Sequence, residues 1–230
     1  MSHVIILVWL LGFALVHSGL AALRPQGEKR LGARGYRLLF ATASLAVAVP
    51  LLGYFWKHCY DGVQLWQVQD VPGVRAWVWG LTALSFLFLF PATFNLGEIT
   101  AIQKPQIHLY SQGIIRICRH PQMVAQTLWC IAHTIWIGSS FMVVTSLGLI
   151  AYHLFGVWHG DRRWAARYPE AFPELKANTS IIPFWAIVQG KQKLVWREFL
   201  RPAYVGVAVF VIAVYWLHPQ MLRWAQGFPF

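Results

Sequence analysis

Apolar residues run along this chain in blocks, and short polar clusters separate the blocks. A helix rises about 1.5 Å per residue and a hydrocarbon core is about 30 Å thick, so roughly 20 apolar residues make one span. Six stretches reach or approach that length: 4–23, 36–56, 76–95, 122–138, 141–158 and 202–217. The fourth and fifth are short, and Ser139-Ser140 joins them. That spacing predicts a tight re-entrant or interfacial hairpin. The pattern predicts an all-α, polytopic membrane bundle of about six transmembrane helices, a single domain over 1–230.

Composition agrees with this reading. The chain is 57% hydrophobic and only 12% charged, where soluble domains are about 25% charged. Too few solvated groups exist to cover a globule, so lipid must act as solvent. Cys59, Cys118 and Cys130 are scattered with no CxxC or CxxCH among them. Zinc ribbons, thioredoxin chemistry and covalently attached c-type haem are therefore unsupported.

The net charge of +11 reads as orientation and contact with anionic membrane lipids, with no role for nucleic acid. Place the N-terminus on the non-cytoplasmic side. Inner loops then hold Arg24, Lys29, Arg30, Arg34 and Arg37, then Lys104, Arg116 and Arg119, then Arg162, Arg163, Arg167, Lys176, Lys191, Lys193, Arg197 and Arg201. That is 16 of the 19 Lys and Arg, with Lys57, Arg75 and Arg223 outside. An even number of spans keeps this asymmetry and puts both termini on the non-cytoplasmic side.

The run 4–16 followed by His17-Ser18-Gly19-Leu20-Ala21-Ala22 imitates a signal peptide. No basic region leads it and a basic loop follows it, so a retained anchor helix is expected. No transit peptide precedes it, which predicts a bacterial form. Most of the 13 tryptophans fall near span ends or in loops, as an aromatic belt does. Trp129 and Trp136 lie inside the fourth span.

Ionisable groups at membrane depth are costly and mark sites. His17, His133 and His153 each sit among apolar residues on different expected spans. One such histidine most often hydrogen-bonds a neighbouring helix. Three in a small bundle favour a shared site. Gln122, Gln126, Cys130 and His133 share one helical face by their spacing, and a thiol one turn from an imidazole is a credible iron-ligand pair. At the expected inner surface, Arg116-Ile117-Cys118-Arg119-His120-Pro121 opens the fourth span and Trp158-His159-Gly160-Asp161-Arg162-Arg163 closes the fifth. Asp161 is placed to pair with Arg119 or Arg162. No GxSxG, HExxH or Walker loop appears, and Glu98 alone among carboxylates falls near membrane depth. Paired-carboxylate hydrolysis, metalloproteolysis and proton pumping therefore lack parts.

Three runs carry a resemblance: 113–122 (GIIRICRHPQ), 129–138 (WCIAHTIWIG) and 153–163 (HLFGVWHGDRR). They resemble the NnrU membrane-protein family, and WCIAHTIWIGSS is similar to its carotenoid branch, the 15-cis-zeta-carotene isomerases. The likeness extends over nearly the whole chain and is looser in the first three spans. RHP alone is weak, since membrane methyltransferases carry it too.

The resemblance implies a noncovalent haem b and conversion of 9,15,9′-tri-cis-zeta-carotene to the 9,9′-di-cis isomer. The family's axial histidines match His17 and His133, and its nearby cysteine matches Cys130. Gln126 and His153 join them as cofactor-site candidates, His153 as an alternative ligand. The family is thought to act with reduced iron, with ligand exchange opening a position for the polyene. The implied partners are a lipid-soluble carotenoid, membrane lipids and an electron donor of unknown kind. The implied place is a thylakoid or plasma membrane of a photosynthetic bacterium. Lowering the order of a polyene C=C bond needs no general acid or base, which suits the scarcity of carboxylates.

Depth is a counterweight. Counted from the inner surface, His17 and His153 lie at about 9 Å and His133 at about 18 Å. Depth alone pairs His17 with His153; the resemblance pairs His17 with His133. Two rival readings remain. One is a membrane S-adenosylmethionine-dependent methyltransferase of isoprenylcysteine or phospholipid type, with Arg119, His120 and 159–163 holding the cofactor. The usual carboxylate pair of those enzymes is here His159-Gly160-Asp161-Arg162-Arg163. The other is a haem electron-transfer or nitrogen-oxide-respiration accessory protein.

Overall fold

The structure is a computed structural model that describes residues 1–94, 113–200 and 202–227, with side chains described except at 91–94, 202–203 and 224–227. Glu98, Lys104, Arg201 and the end of the third expected span lie outside the described residues. Among the described residues regular structure is helical, apart from an isolated antiparallel bridge between Gln64 and Ser139. In chain order the helices are α1 (Ser2–His58), α2 (Val74–Phe94), α3 (Ile114–Ile117), α4 (Pro121–Ile137), α5 (Ser140–Arg167), α6 (Ala171–Asn178), α7 (Trp185–Val188) and α8 (Pro202–Gly227). A 3-10 turn, Trp196–Phe199, precedes α8.

Three helices are long and apolar enough to cross a membrane: Ser2–His58, Ser140–Arg167 and, within α8, Tyr204–Arg223. The apolar stretch Val74–Phe90 is shorter, and α4 has 17 residues. Exposed apolar residues such as Val4, Val8, Leu11 and Leu15 line one side of α1. A surface this apolar needs lipid or protein against it.

The first two expected spans both fall in α1. The basic loop expected between them is helical apart from Gly32; within it Arg24 donates to Glu28 one turn on, at 2.7 Å, a pair that assists a helix weakly. The break comes at Gly32 alone, whose backbone (φ 70°, ψ 162°) is not helical. The limbs at 2–31 and 33–58 fold against each other. Tyr36 of the second donates its hydroxyl to the carbonyl of Leu20 in the first. Its ring occupies the space a side chain at position 27 would need, so the residue there is glycine.

α4 opens with Pro121, tolerated where no intrahelical N–H bond is required, and stops before Gly138 (φ 67°). α5 restarts at Ser140, so the expected hairpin at Ser139-Ser140 is present. Thr134 Oγ1 on α4 and Ser146 Oγ on α5 lie 2.7 Å apart across it. α5 outruns the expected 141–158. It continues through Arg-Arg-Trp-Ala-Ala-Arg to the residue before Tyr168-Pro169, where proline disfavours further helix. His159, Asp161, Arg162 and Arg163 therefore stand on a helix and not in a loop.

Contacts sort the chain into two units, Met1–Arg75 with His133–Tyr152 and Leu217–Phe230, and Ala76–Ala132 with His153–Trp216. In the first, Ile6, Leu10, Phe55, Phe141 and Met142 are buried. Gly148 of α5 lies against Leu7 and Leu10 of α1. In the second, Phe88, Ile114, Ile117, Cys118, Val124 and Ala125 form a core cluster. There Phe86 and Phe90 of α2 pack on Phe210 of α8, and Trp79 packs on Tyr215.

Candidate functional site

The histidine of the first limb is held by the second. His17 Nδ1 and Ser44 Oγ are 3.1 Å apart, and Ser44 is buried. The ring stacks on Phe13, one turn earlier, at 5.2 Å between centroids, and lies 4.7 Å from Phe40. Phe13 and His17 on one limb, and Phe40 and Ser44 on the other, are each four apart, so each pair shares a helix face. Phe13 also meets Tyr152 of α5 edge-on. The His17 ring thus lies against two aromatic rings and the Ser44 hydroxyl. The Nδ1 contact orients the ring.

His133 is half-buried on α4, and its ring centroid lies 6.4 Å from that of His218 on α8. Cys130 is fully buried, one turn before His133, and accepts a hydrogen bond from Gln126 Nε2 at 3.6 Å. Three of the four residues of the expected polar face are thus associated with an interior position, while Gln122 is exposed. His153 is half-buried on α5, next to Tyr152. Among the described residues no three His, Cys, Asp or Glu side chains converge as a metal cage.

Beyond Ile137 one loop closes on the end of α4. The last four carbonyls of a helix lack intrahelical partners. Here Gly138 N–H takes that of Thr134 at 3.0 Å. Trp66 Nε1 donates to Ile135 at 2.9 Å, Gln69 Nε2 to Trp136 at 2.7 Å and Gln64 Nε2 to Ile137 at 2.8 Å. Leu65 N–H reaches the Gly138 carbonyl at 2.8 Å.

The RHP segment is committed elsewhere. Asp161 accepts from Arg119 Nη2 at 2.9 Å and lies 2.7 Å from His120 Nε2. Arg119 also donates through Nη1 to the carbonyl and hydroxyl of Thr179, and its N–H bonds the Ser180 carbonyl. The expected Arg119–Asp161 pair is therefore present, and His120 adds to it. Cys118 Sγ donates to the Ile181 carbonyl at 3.0 Å. Burial pushes its thiol up to about 11, so it stays neutral. Arg116 forms a forked pair with Glu198, which raises its already high pKa. These charges fasten 179–198 to the α3–α4 segment.

Sequence reasoning missed His218 and the 64–69 loop. His218 directly follows the expected end of the last span, and the rule applied to His17 would have found it one residue further on. Gln64, Trp66 and Gln69 carry no sequence signal, because their role depends on where a helix 70 residues away happens to end.

The chain matches the NnrU protein family over residues 5–225. It is 51% identical over 224 residues to the chloroplastic 15-cis-zeta-carotene isomerase of Zea mays, covering 96% of this chain and 61% of that protein. It is 52% identical over 222 residues to the chloroplastic 15-cis-zeta-carotene isomerase of Arabidopsis thaliana, covering 95% and 60%. The chain thus spans about three fifths of the length of these relatives. No solved structure matches it.

Proposed function

The chain belongs to the NnrU protein family, and on that premise we propose that it is a membrane cis–trans isomerase acting on the 15-15′ double bond of 9,15,9′-tri-cis-zeta-carotene. The product is the 9,9′-di-cis isomer, an intermediate of carotenoid biosynthesis. The observation that carries this reading is identity above one half across at least 95% of the chain with two proteins named for that activity.

The imidazole and thiol groups present are of the kind that would hold the iron of a haem b. His17 has its Nδ1 against Ser44 and aromatic rings around it. His17 and His133 are the proposed ligands, with Cys130 and His153 as alternatives. A haem bound there would supply redox-active iron, the chemistry needed to lower the order of a polyene double bond. The protein's share is to hold the imidazoles, keep water out and admit an apolar substrate from lipid. Gln126, donating to Cys130, favours whatever negative charge that sulfur acquires.

Six spans with both termini on the non-cytoplasmic side remain the proposed topology. In support, the Gly32 break divides α1 into two limbs, and 16 of the 19 basic residues then fall on one side. The proposed place is a membrane of a photosynthetic, carotenoid-making cell.

The test is an absorption spectrum, oxidised and reduced, of the protein purified in detergent from haem-supplied cells. A Soret band is expected. His17→Ala and His133→Ala should lose it, and His120→Ala should keep it because His120 binds Asp161. A haem-free parent protein would overturn the cofactor assignment.

A further inference from the structure

We propose that segment 64–69 positions His133, and that Gln64, Trp66 and Gln69 set the height and rotation of the α4 turn that carries it. The inference rests on the reading of His133 as a haem ligand.

Three features carry it. First, the donors are consecutive in their targets: Ile135, Trp136 and Ile137 each give a carbonyl to a different side chain of one short segment. Carbonyls of successive helical residues sit about 100° apart around the axis and all point toward the C-terminal end. A set of side chains reaching all three grips the turn from several directions and resists both rotation and sliding. Second, the grip lies two to four residues beyond His133, within about one turn. Third, the grip is anchored. Leu65 N–H bonds the Gly138 carbonyl, Ser140 N–H bonds the Val63 carbonyl, and Phe141 N–H bonds the Asp61 carbonyl. Gly138 (φ 67°) is needed there as well. A Cβ would fall 2.2 Å from the Trp66 carbonyl oxygen, so only glycine lets the loop come this close.

An ordinary helix end is closed by its own following residues or by water. This one is closed by side chains from a segment about 70 residues away. Axial ligation is sensitive to ligand placement, and groups that orient a ligand contribute strongly to metal affinity. A turn held at its end by three donors is a means of achieving that placement without crowding the ligand itself.

The test uses the full chain in detergent with Trp66→Phe, Gln64→Glu and Gln69→Glu. The first keeps an aromatic ring, smaller than the indole, and removes the donor; the others keep the shape and replace an NH2 donor with an acceptor. Glu198→Gln, which weakens the Arg116 pair, is the control. Hydrogen exchange of a peptide covering 133–138 is measured together with the haem spectrum. The proposal predicts roughly fivefold faster exchange per lost bond. It also predicts a shifted or heterogeneous haem spectrum with unchanged overall helix content, and no such spectral change in Glu198→Gln. Unchanged exchange overturns the proposal. Faster exchange with an unaltered haem spectrum also overturns it, since the loop would then be a plain cap. A parent protein without haem sinks the cofactor assignment instead, and the exchange measurement alone then decides whether the loop fixes the turn.

Discussion

His17 and Ser44, 27 residues apart in sequence, meet at 3.1 Å between Nδ1 and Oγ. The contact exists because α1 folds back at Gly32, and it sets a buried hydroxyl beside an imidazole that also lies against Phe13 and Phe40. Ser44→Ala removes the hydroxyl and little volume. It should leave the fold intact, since such contacts between membrane helices are worth about 0.6 kcal/mol. With the proposed haem on His17, it should broaden or shift the haem absorption and lower the proposed isomerase activity. The spectrum and the helix content of the purified variant check both halves.

The fold-back itself rests on one residue. Gly32 has φ 70° and ψ 162°, a region essentially restricted to glycine. Gly32→Ala should cost about 1–3 kcal/mol and loosen both Tyr36–Leu20 and His17–Ser44. The thermal midpoint in detergent should fall, and the proposed haem should be lost before helix content is.

How much of this was legible in the sequence depends on range. Apolar blocks show directly which segments become helices, and the Ser139-Ser140 hairpin and the Arg119–Asp161 pair were readable from local residue types. The turn at Gly32 was not. Pro25 is the stronger breaker by sequence, yet it lies inside α1, and charges at 24–37 suggested a loop where the chain stays helical apart from Gly32. Of the proposed site, the histidines were legible in the sequence. An intramembrane histidine announces itself by its cost, so His17, His133 and His153 stood out. Their neighbours did not, because Ser44, His218 and Trp66 are ordinary residues until the fold brings them close.

Arg119 is almost fully buried, and its side chain is shared between Asp161 and Thr179. Arg119→Ala leaves Asp161 with His120 as its remaining named partner in a desolvated place. Breaking a buried pair on one side costs about 3–5 kcal/mol, so the variant should be recovered poorly from membranes. Asp161→Asn, which keeps an acceptor, should be milder. Yield and thermal midpoint measured together distinguish this loss of stability from loss of a ligand site.

Asp61 gives a pH dependence of known sign. A hydrogen bond from His58 Nδ1 at 2.9 Å holds its carboxyl below the usual carboxylate range. A carboxylate with a depressed folded value contributes stability above its unfolded pKa, about 3.9, and loses it as pH falls through the folded value. The thermal midpoint should therefore drop on acidification from about pH 5 to pH 3, and less steeply in Asp61→Asn. Equal slopes in the two proteins would remove Asp61 from the account.

The central claim is the reaction. Membranes containing the chain, supplied with haem and a reductant, are incubated with 9,15,9′-tri-cis-zeta-carotene in the dark, and the isomers are separated by chromatography. The account predicts accumulation of 9,9′-di-cis-zeta-carotene, abolished in His17→Ala and His133→Ala and retained in His120→Ala. No conversion by a haem-loaded, reduced parent protein would contradict it.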